Sequence, residues 1–237
     1  MGKRRLDQLL VEMGLVRSRS QAESMIGLGE VTVDGKKIQK SGYFVPDTAK
    51  IKVTTDERYV SRAALKLASV AREFDLDFKG RTVLDVGSST GGFTDFALQN
   101  GANKVIAVEA GKDQLHPSLR GNDKIELHEQ TDIRDIDELS AKPDLVVIDV
   151  SFVSLRDILP HIAKITDGKA QIVAMVKPQF EAPDNIKHKG VIKNERLRRE
   201  ILKDFEDWVK PKFVIRDKAD SKVAGTKGNL ERFYLLS

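Results

Sequence analysis

The sequence has 237 residues, is 40% hydrophobic and contains no cysteine, which predicts one mid-sized domain plus a smaller one. It excludes a disulfide scaffold, a thiol nucleophile and a thiolate metal site, and it favours a reducing compartment. Residues 1–60 carry 11 Lys and Arg against 8 Asp and Glu, whereas the remainder is almost neutral, with 29 against 28. This basic first quarter favours a polyanionic partner such as nucleic acid.

The first 55 residues predict two short helices and a small β unit. Residues 6–13 have apolar side chains at the i, i+3, i+4, i+7 spacing of an amphipathic helix, which Gly14 ends. A second helix follows, with Ser18 or Ser20 as its N-cap. The segment VTVDGKKI then alternates around Asp34-Gly35, a strong hairpin signal. The expected core residues of the second helix are Ala22, Met25 and Ile26.

The basic start of the second helix, RSRSQA, and the hairpin GEVTVDGKKI resemble the alpha-L RNA-binding domain over about residues 3–55. In that family, basic residues at the start of the second helix and in the flanking loop contact RNA phosphates. The resemblance implies RNA contacts by Arg4, Arg5, Arg17, Arg19, Lys36 and Lys37. For Arg17 or Arg19 taken alone, a residue that only flanks a helix cap is an equally good interpretation.

Residues 61–74, SRAALKLASVAREF, predict a helix capped by Ser61. Its polar residues recur at steps of four, three and four, so they form a single stripe, which helix statistics alone interpret as a solvated face. The role of Lys66 stays open at this point. The stripe consists of Arg62, Lys66, Ser69 and Glu73.

From residue 80 onward, short apolar runs separated by helical or loop stretches predict βαβ units. The last two runs predict an antiparallel pair. We therefore expect an α/β fold with a Rossmann-like, mostly parallel sheet and an antiparallel last strand, at residues 59–237, behind a small α+β domain at 1–58. The expected strands are RTVLDV, KVIAVEA, KIELHE, DLVVIDV, QIVAMV, FVIRDKADS and NLERFYLL, and the expected helices are FTDFALQN and residues 195–208.

The turn after the first of these strands, DVGSSTGG, is rich in glycine, so its backbone N–H groups can approach a ligand closely. Ser89 breaks the G-x-G-x-x-G pattern of dinucleotide binders, and the turn has no P-loop Lys. It resembles the first motif of S-adenosylmethionine-dependent methyltransferases, in which this turn holds the methionine part of the cofactor. The implied contacts are Asp85, Gly87, Ser88, Ser89, Thr90, Gly91, Gly92 and Phe93.

Acidic residues follow the next two strands. Glu109 ends the second strand, where a carboxylate can accept hydrogen bonds from ribose hydroxyls. Asp132, after the third strand, is suited to the adenine amino group. Either residue by itself could be a solvated loop residue, but their order after three strands favours cofactor binding.

Polar residues also end two later strands: Asp149 closes LVVI, and Lys177 closes QIVAMV. Ligands of open parallel sheets bind beyond the carboxyl ends of the strands, so both side chains should lie in one crevice. If NLERFYLL runs antiparallel to its neighbours, Glu231 joins them, and Lys66 can complete the group from its helix. Asp149 can also contact the cofactor. A structural ion pair is the alternative interpretation of the Lys and Asp.

The segments SRAALKL, DVGSSTGGFTD, DVSF, VKPQFE and GNLE, in this order, resemble the hemolysin A (TlyA) family of FtsJ-like rRNA methyltransferases across essentially the whole chain. The resemblance implies a tetrad of Lys66, Asp149, Lys177 and Glu231 that methylates a ribose 2′-hydroxyl with S-adenosylmethionine. Family substrates are cytidines in ribosomal RNA of both subunits. The sequence departs from its relatives at Ala63 and Ala64, often Gly, at Asp132, often Asn, and at Arg232, often aromatic.

Three other functions are alternatives to this one. DVSF loosely resembles the motif of amino methylases, so a base nitrogen is an alternative target. Methylation of an exocyclic amine needs hydrogen-bond acceptors around its N–H groups, whereas an emerging alkoxide needs cations. The two lysines therefore favour the ribose hydroxyl. A non-catalytic RNA-binding or ribosome-assembly factor would not need the glycine turn and the tetrad. A membrane-lysing toxin is disfavoured because the sequence has no signal peptide, spanning segment or strongly amphipathic basic helix.

Residues 181–194 predict a polar loop in which Lys187 and Lys189 can contact RNA. Arg62, on the helix predicted at residues 61–74, is a further candidate RNA contact. A lid that orders on RNA binding and a mobile surface loop are equally good interpretations. The histidines fall in no metal-ligand spacing, so no catalytic metal is expected. We also expect no membrane partner and a cytoplasmic location, with ribosomal RNA or ribosomal subunits as the partner.

Overall fold

The computed structural model describes residues 3–16, 19–27, 31–40, 42–53, 59–183, 190–223 and 228–237. The first 53 residues contain a two-stranded and a three-stranded antiparallel sheet beside two helices, with a hydrophobic core of their own. Their elements are β1 (Lys3–Arg5), α1 (Leu6–Glu12), α2 (Arg19–Gly27), β2 (Val31–Val33), β3 (Lys36–Lys37), β4 (Phe44–Pro46) and β5 (Ile51–Val53).

The predicted elements of this N-terminal part are confirmed. The hairpin between β2 and β3 turns at Asp34 and Gly35, whose φ angles of 49° and 78° are those of a two-residue turn with both central residues left-handed. Ala22, Met25 and Ile26 are buried. Strands β1 and β4 were not predicted, because three residues carry too little alternation to be recognised. Ser18 and the side chain of Ser20 lie outside the described residues.

The second part is a seven-stranded sheet with helices on both faces. Its strand order is β11-β12-β10-β9-β6-β7-β8; β10, β9, β6, β7 and β8 are parallel, and β12 is antiparallel to β10 and β11. This confirms the predicted α/β architecture and its antiparallel last strand. The elements are α3 (Arg62–Ala71), β6 (Thr82–Val86), α4 (Gly92–Gln99), β7 (Lys104–Glu109), β8 (Ile125–Glu129), β9 (Leu145–Ile148), α5 (Leu155–Ile165), β10 (Gln171–Val176), α6 (Pro178–Glu181), α7 (Glu195–Val209), β11 (Ile215–Asp220) and β12 (Arg232–Leu236).

Each face of the sheet has its own core. Helices α3 and α4 cover one face, and α5 and α7 cover the other. The central strands are buried on both sides, which is why they are apolar runs rather than alternating patterns. The division at residue 58 stays a prediction, since residues 54–58 lie outside the described ranges. Within those ranges, no helix is long and apolar enough to cross a bilayer.

Ser61 is the N-cap residue of α3, as predicted, but among the described residues its buried hydroxyl makes no capping hydrogen bond. A Cβ on Gly92 would lie 2.2 Å from the Ser61 hydroxyl, so Ser61 instead packs against the start of α4. The polar stripe is not a solvated face throughout, because the side chain of Lys66 is only 12% exposed.

The start of β12 is held by a charged network beneath α7. The buried Arg198 donates to Asp220 (2.5 Å) and to the carbonyl oxygen of Leu230 (3.0 Å), while Arg232 donates to the same Asp220 oxygen (2.7 Å). Burial alone would raise the pKa of Asp220, but the hydrogen bonds from Arg232 and Arg198 outweigh it and hold this pKa below its usual value.

We expect Asp220→Ala to lower the free energy of unfolding by about 1–3 kcal/mol at neutral pH, since it leaves Arg198 buried without its carboxylate. The depressed pKa means that this stabilisation is present above about pH 4 and is lost as the pH falls through the folded pKa. Urea unfolding at several pH values checks both statements. Asp217→Ala, at an exposed position of the same strand, is the control and should change stability by less than about 0.5 kcal/mol. Equal stability of Asp220→Ala and wild type would contradict the prediction.

Candidate active site

The glycine turn joins β6 to α4 at the carboxyl edge of the parallel strands. Gly87 has a φ of 80°, and a Cβ there would lie 2.8 Å from the carbonyl oxygen of Asp149. Gly91 has a φ of 89°, and a Cβ there would lie 2.5 Å from Leu119. Both positions favour glycine because of their left-handed backbone, and Gly87 also because the Asp149 backbone approaches it closely.

Asp85 lies fully buried in β6, directly before this turn. Thr94 donates to one of its oxygens (2.7 Å), while the other oxygen, Oδ1, has no hydrogen-bond partner among the described residues. Burial raises the pKa of Asp85 to about 7, and the nearby charges of Asp149 and Glu109 add to the shift. A buried carboxyl group with an unused oxygen is suited to a ligand that carries positive charge or N–H donors.

Glu109 lies at the end of β7 beside the same turn. Its carboxylate accepts hydrogen bonds from the backbone N–H groups of Ser89 (2.8 Å) and Gly111 (2.6 Å). Three carboxyl groups, those of Asp85, Glu109 and Asp149, thus surround the glycine turn. This arrangement fits S-adenosylmethionine, whose methionine part carries a cationic sulfonium and an ammonium group.

Three other predicted cofactor residues have defined positions. Asp132 caps the 3₁₀ helix Ile133–Asp135 and is paired with Arg134 (2.6 Å), whose hydrogen bonds hold the pKa of Asp132 below its usual value. Adenine would have to share this carboxylate with Arg134. The ring of Phe93 packs against Phe233 in the core, which leaves only the Phe93 backbone for a ligand contact. The Ser88 hydroxyl is buried without a partner.

The four predicted tetrad residues form two ion pairs at this edge. Lys177 follows β10 and lies 2.6 Å from Asp149, which follows β9; Lys66 on α3 lies 2.6 Å from Glu231, which precedes β12. The antiparallel register pairs Val176 with Arg232, so Lys177 and Glu231 are the next residues on neighbouring strands. All four side chains are largely buried.

Several residues at the site stand in the DVSF and VKPQFE motifs but were given no role from the sequence. Ser151 accepts a hydrogen bond from Lys177 (2.7 Å). Phe152 is 91% exposed and has a φ of 66°. Its ring centroid lies 5.1 Å from that of Phe180, with the ring planes tilted by 50°, and the Phe180 ring lies 6.0 Å from the Lys177 ammonium. A bulky residue with positive φ is uncommon and often marks a functional site. The Phe152–Phe180 pair offers an aromatic surface beside Lys177.

Glu181 and Asn229 brace the chain around the lysines. The buried Glu181 accepts hydrogen bonds from the Ser154 hydroxyl and the Leu155 N–H (2.7 Å each), and burial raises its pKa. It therefore joins the segment that follows Lys177 to the segment that follows Asp149. Asn229 accepts from the Ile192 N–H and donates to the Gly190 carbonyl (both 2.9 Å). Both residues stand in the VKPQFE and GNLE motifs, the only sequence signal that could have found them.

The predicted RNA contacts lie mainly on the N-terminal part. Arg5 and Arg19 share Asp7, Arg4 pairs with Glu12 and Asp47, and both lysines of β3 are exposed. Arg62 begins α3, one turn before Lys66; burial lowers its pKa, which the charges of Glu23 and Glu231 oppose. Arg17, Lys187 and Lys189 lie outside the described residues, as do residues 184–189 of the predicted lid. Among the residues that are described, no cluster of three or more His, Asp or Glu could hold a metal ion.

Comparison with known proteins agrees with this geometry. Residues 59–237 match the FtsJ-like methyltransferase family, and residues 4–51 match the S4 domain. The 16S/23S rRNA (cytidine-2′-O)-methyltransferase TlyA of Mycobacterium tuberculosis is 37% identical, over 98% of this chain and 89% of its own. The 23S rRNA (cytidine-2′-O)-methyltransferase TlyA of Campylobacter jejuni is also 37% identical, over 92% and 93%.

A solved structure of a candidate hemolysin from Streptococcus thermophilus superposes with a TM-score of 0.73 at 36% identity, over all of this chain and 88% of the other. The similarity thus extends over both parts of the molecule. The chain belongs to the FtsJ-like methyltransferase family, among the TlyA (hemolysin A) proteins that carry an N-terminal S4 domain.

Proposed function

We propose that this protein transfers a methyl group from S-adenosylmethionine to the ribose 2′-hydroxyl of a cytidine in ribosomal RNA. The observation that carries the proposal is the two buried ion pairs, Lys177–Asp149 and Lys66–Glu231, beside the glycine turn. The names of the Mycobacterium and Campylobacter relatives support cytidine as the target. With ribosomal RNA as substrate, the protein acts in the cytoplasm.

The chemistry requires cations near the hydroxyl, because a ribose 2′-hydroxyl is a poor nucleophile at neutral pH and alkoxide character develops as it attacks. When bound, S-adenosylmethionine supplies an electrophilic methyl group on its sulfonium. An ammonium has three donors. Among the described residues, Lys177 gives one to Asp149 and one to Ser151, and the third can be offered to the substrate oxygen. As an ammonium Lys177 stabilises the alkoxide; as an amine it accepts the proton.

The other three tetrad residues orient these groups. Asp149 fixes the Lys177 side chain, and it contributes negative charge toward the cationic cofactor. Glu231 can accept hydrogen bonds from ribose hydroxyls, while Lys66 holds this buried carboxylate in position through their ion pair. Because both pairs are buried, the site is partly shielded from water, which strengthens each interaction.

The cofactor is assigned to the glycine turn, residues 87–92, with Asp85 and Asp149 toward its methionine part, Glu109 toward its ribose and Asp132 toward its adenine. The RNA is assigned to the N-terminal domain, residues 1–58, and to the rim of the methyltransferase domain, residues 59–237. The proposed RNA contacts described above are Arg4, Arg5, Arg19, Lys36, Lys37 and Arg62.

We expect Lys177→Met to lower the rate of methyl transfer to ribosomal RNA by at least about a hundred-fold, because it removes the cation nearest the developing alkoxide. Labelled methyl from S-adenosylmethionine, followed by alkaline hydrolysis, checks the rate and the target together. A 2′-O-methyl group blocks alkaline cleavage, so the label of the wild type should be found in dinucleotides. Lys212→Met, at an exposed lysine after α7, is the control and should retain full activity. Label in mononucleotides would indicate a methylated base instead.

We expect the affinity for S-adenosylmethionine to rise with pH by up to about tenfold between pH 6 and pH 8. The pKa of Asp85 is about 7, and a cationic ligand binds better when this carboxyl group is ionised. Asp85→Asn should remove this part of the pH dependence, which titration calorimetry at each pH measures. The surface variant Asp123→Asn should behave as the wild type. Parallel pH profiles for Asp85→Asn and wild type would exclude Asp85 from cofactor binding.

A further inference from the structure

One face of the small β1–β4 ribbon combines an exposed aromatic ring with an arginine. Arg5 and Phe44 are directly opposed in the antiparallel register, and opposed residues share a face. The neighbouring Val45 points the other way and is fully buried, whereas Phe44 is 56% exposed. A phenylalanine at such exposure leaves one of the larger apolar surfaces of the domain open to solvent.

A buried carboxylate holds two guanidinium groups at this face. Asp7, in the first turn of α1, is fully buried and accepts hydrogen bonds from Arg5 Nε (3.0 Å) and Nη2 (2.8 Å) and from Arg19 Nε (2.8 Å). The side chains of Arg5 and Arg19 are 35% and 50% exposed. Hydrogen bonds from both arginines keep the pKa of Asp7 below its usual value, against the opposite effect of burial.

Asp7 thus holds the guanidinium groups of Arg5 and Arg19 next to each other and fixes their orientation. Within the described part of the chain, Arg5 uses two of its five N–H donors on Asp7, and the others can be offered to a ligand. A planar guanidinium with spare donors is suited to a phosphate group, which accepts two parallel hydrogen bonds. Gly42 lies beside Arg5, where a Cβ would be in ordinary van der Waals contact with the guanidinium at 3.6 Å.

We propose that Arg5, Arg19 and Phe44 together bind an unpaired nucleotide of the RNA, with its phosphate at the two guanidinium groups and its base stacked on the Phe44 ring. Phosphate binding alone would suit a duplex equally well. A stacking ring, however, requires a base that has left its helix, and aromatic stacking is how proteins hold such bases. Asp7 is the positioning residue of this subsite. The proposal rests on RNA being the substrate, and it names the form of RNA that this face takes.

Arg4 provides the contrast within the same strand. It lies on the opposite face of the ribbon, where it pairs with Glu12 (2.6 Å) and Asp47 (2.7 Å). Its charge is therefore largely balanced by two exposed carboxylates. In the sequence, Arg4 and Arg5 are two adjacent basic residues with no difference between them. Their partners in the structure distinguish them, since Arg4 pairs with exposed carboxylates and Arg5 with the buried Asp7.

The first test compares Phe44→Leu with Phe44→Tyr in the full-length protein. The probes are a fluorescein-labelled single-stranded RNA oligonucleotide and the duplex of the same sequence. Phe44→Leu should weaken single-strand binding at least about five-fold, since stacking is lost, whereas Phe44→Tyr should bind as the wild type. The slope of log affinity against log salt should not change, because no ionic contact is removed. Met13→Ala, at another exposed apolar position of this domain, is the control and should leave binding unchanged.

The second test uses Asp7→Asn, which raises the net charge by one. General electrostatics predicts tighter RNA binding for such a variant, whereas the proposed role of Asp7 predicts weaker binding because the two arginines lose their fixed orientation. If thermal unfolding reports a misfolded N-terminal domain, Arg5→Lys and Arg19→Lys replace it. These variants keep the charge but lose the planar fork, and each should weaken single-strand binding more than duplex binding.

Two outcomes would overturn the inference: equal single-strand affinity of Phe44→Leu and wild type, or Asp7→Asn that folds and binds RNA more tightly. Assays of methyl transfer on the same preparations keep this result separate from the proposed function. If the wild type methylates ribose and Phe44→Leu binds single-stranded RNA with wild-type affinity, only the proposed nucleotide subsite is contradicted. If the wild type fails to methylate any ribosomal RNA, the proposed methyl transfer is contradicted.

Discussion

The structure depends on pairing four charges at one buried edge. An unpaired ionised group in a protein interior is costly, and each of these four is balanced by a partner at 2.6 Å: Lys177 by Asp149 and Lys66 by Glu231. This pairing constrains three strand ends and one helix at the same time. Removing one member would leave its partner buried and uncompensated, so the arrangement persists only if β9, β10, β12 and α3 all keep their relative positions.

The surrounding elements maintain those positions with contacts that have no part in the chemistry. Glu181 joins the segments after β9 and β10, and Arg198 holds the backbone next to Glu231 through the Leu230 carbonyl. Gly87 and Gly92 let β9 and α3 approach the cofactor turn more closely than any side chain would allow. The precision of the proposed site thus comes from a shell of buried hydrogen bonds and close backbone approaches around it.

Charge is distributed according to the two ligands that the molecule is proposed to bind. Carboxyl groups surround the glycine turn, where a cationic cofactor fits, and arginines lie on the N-terminal domain, where a polyanion fits. The N-terminal domain uses the same device: the carboxylate of Asp7 orients the Arg5 side chain, as the carboxylate of Asp149 orients the Lys177 side chain.

The sequence alone determined most of the fold and the membership of the site. Apolar runs and turn residues predicted the parallel strands and the Asp34-Gly35 hairpin, because those signals depend on local backbone preferences and on burial of whole strands. Motifs in fixed order predicted Lys66, Asp149, Lys177 and Glu231. Tertiary structure decided which lysine pairs with which carboxylate, that the Ser61 hydroxyl packs against Gly92, and that Arg4 and Arg5 face opposite ways. Such outcomes depend on contacts between residues far apart in the chain, and no local pattern encodes them.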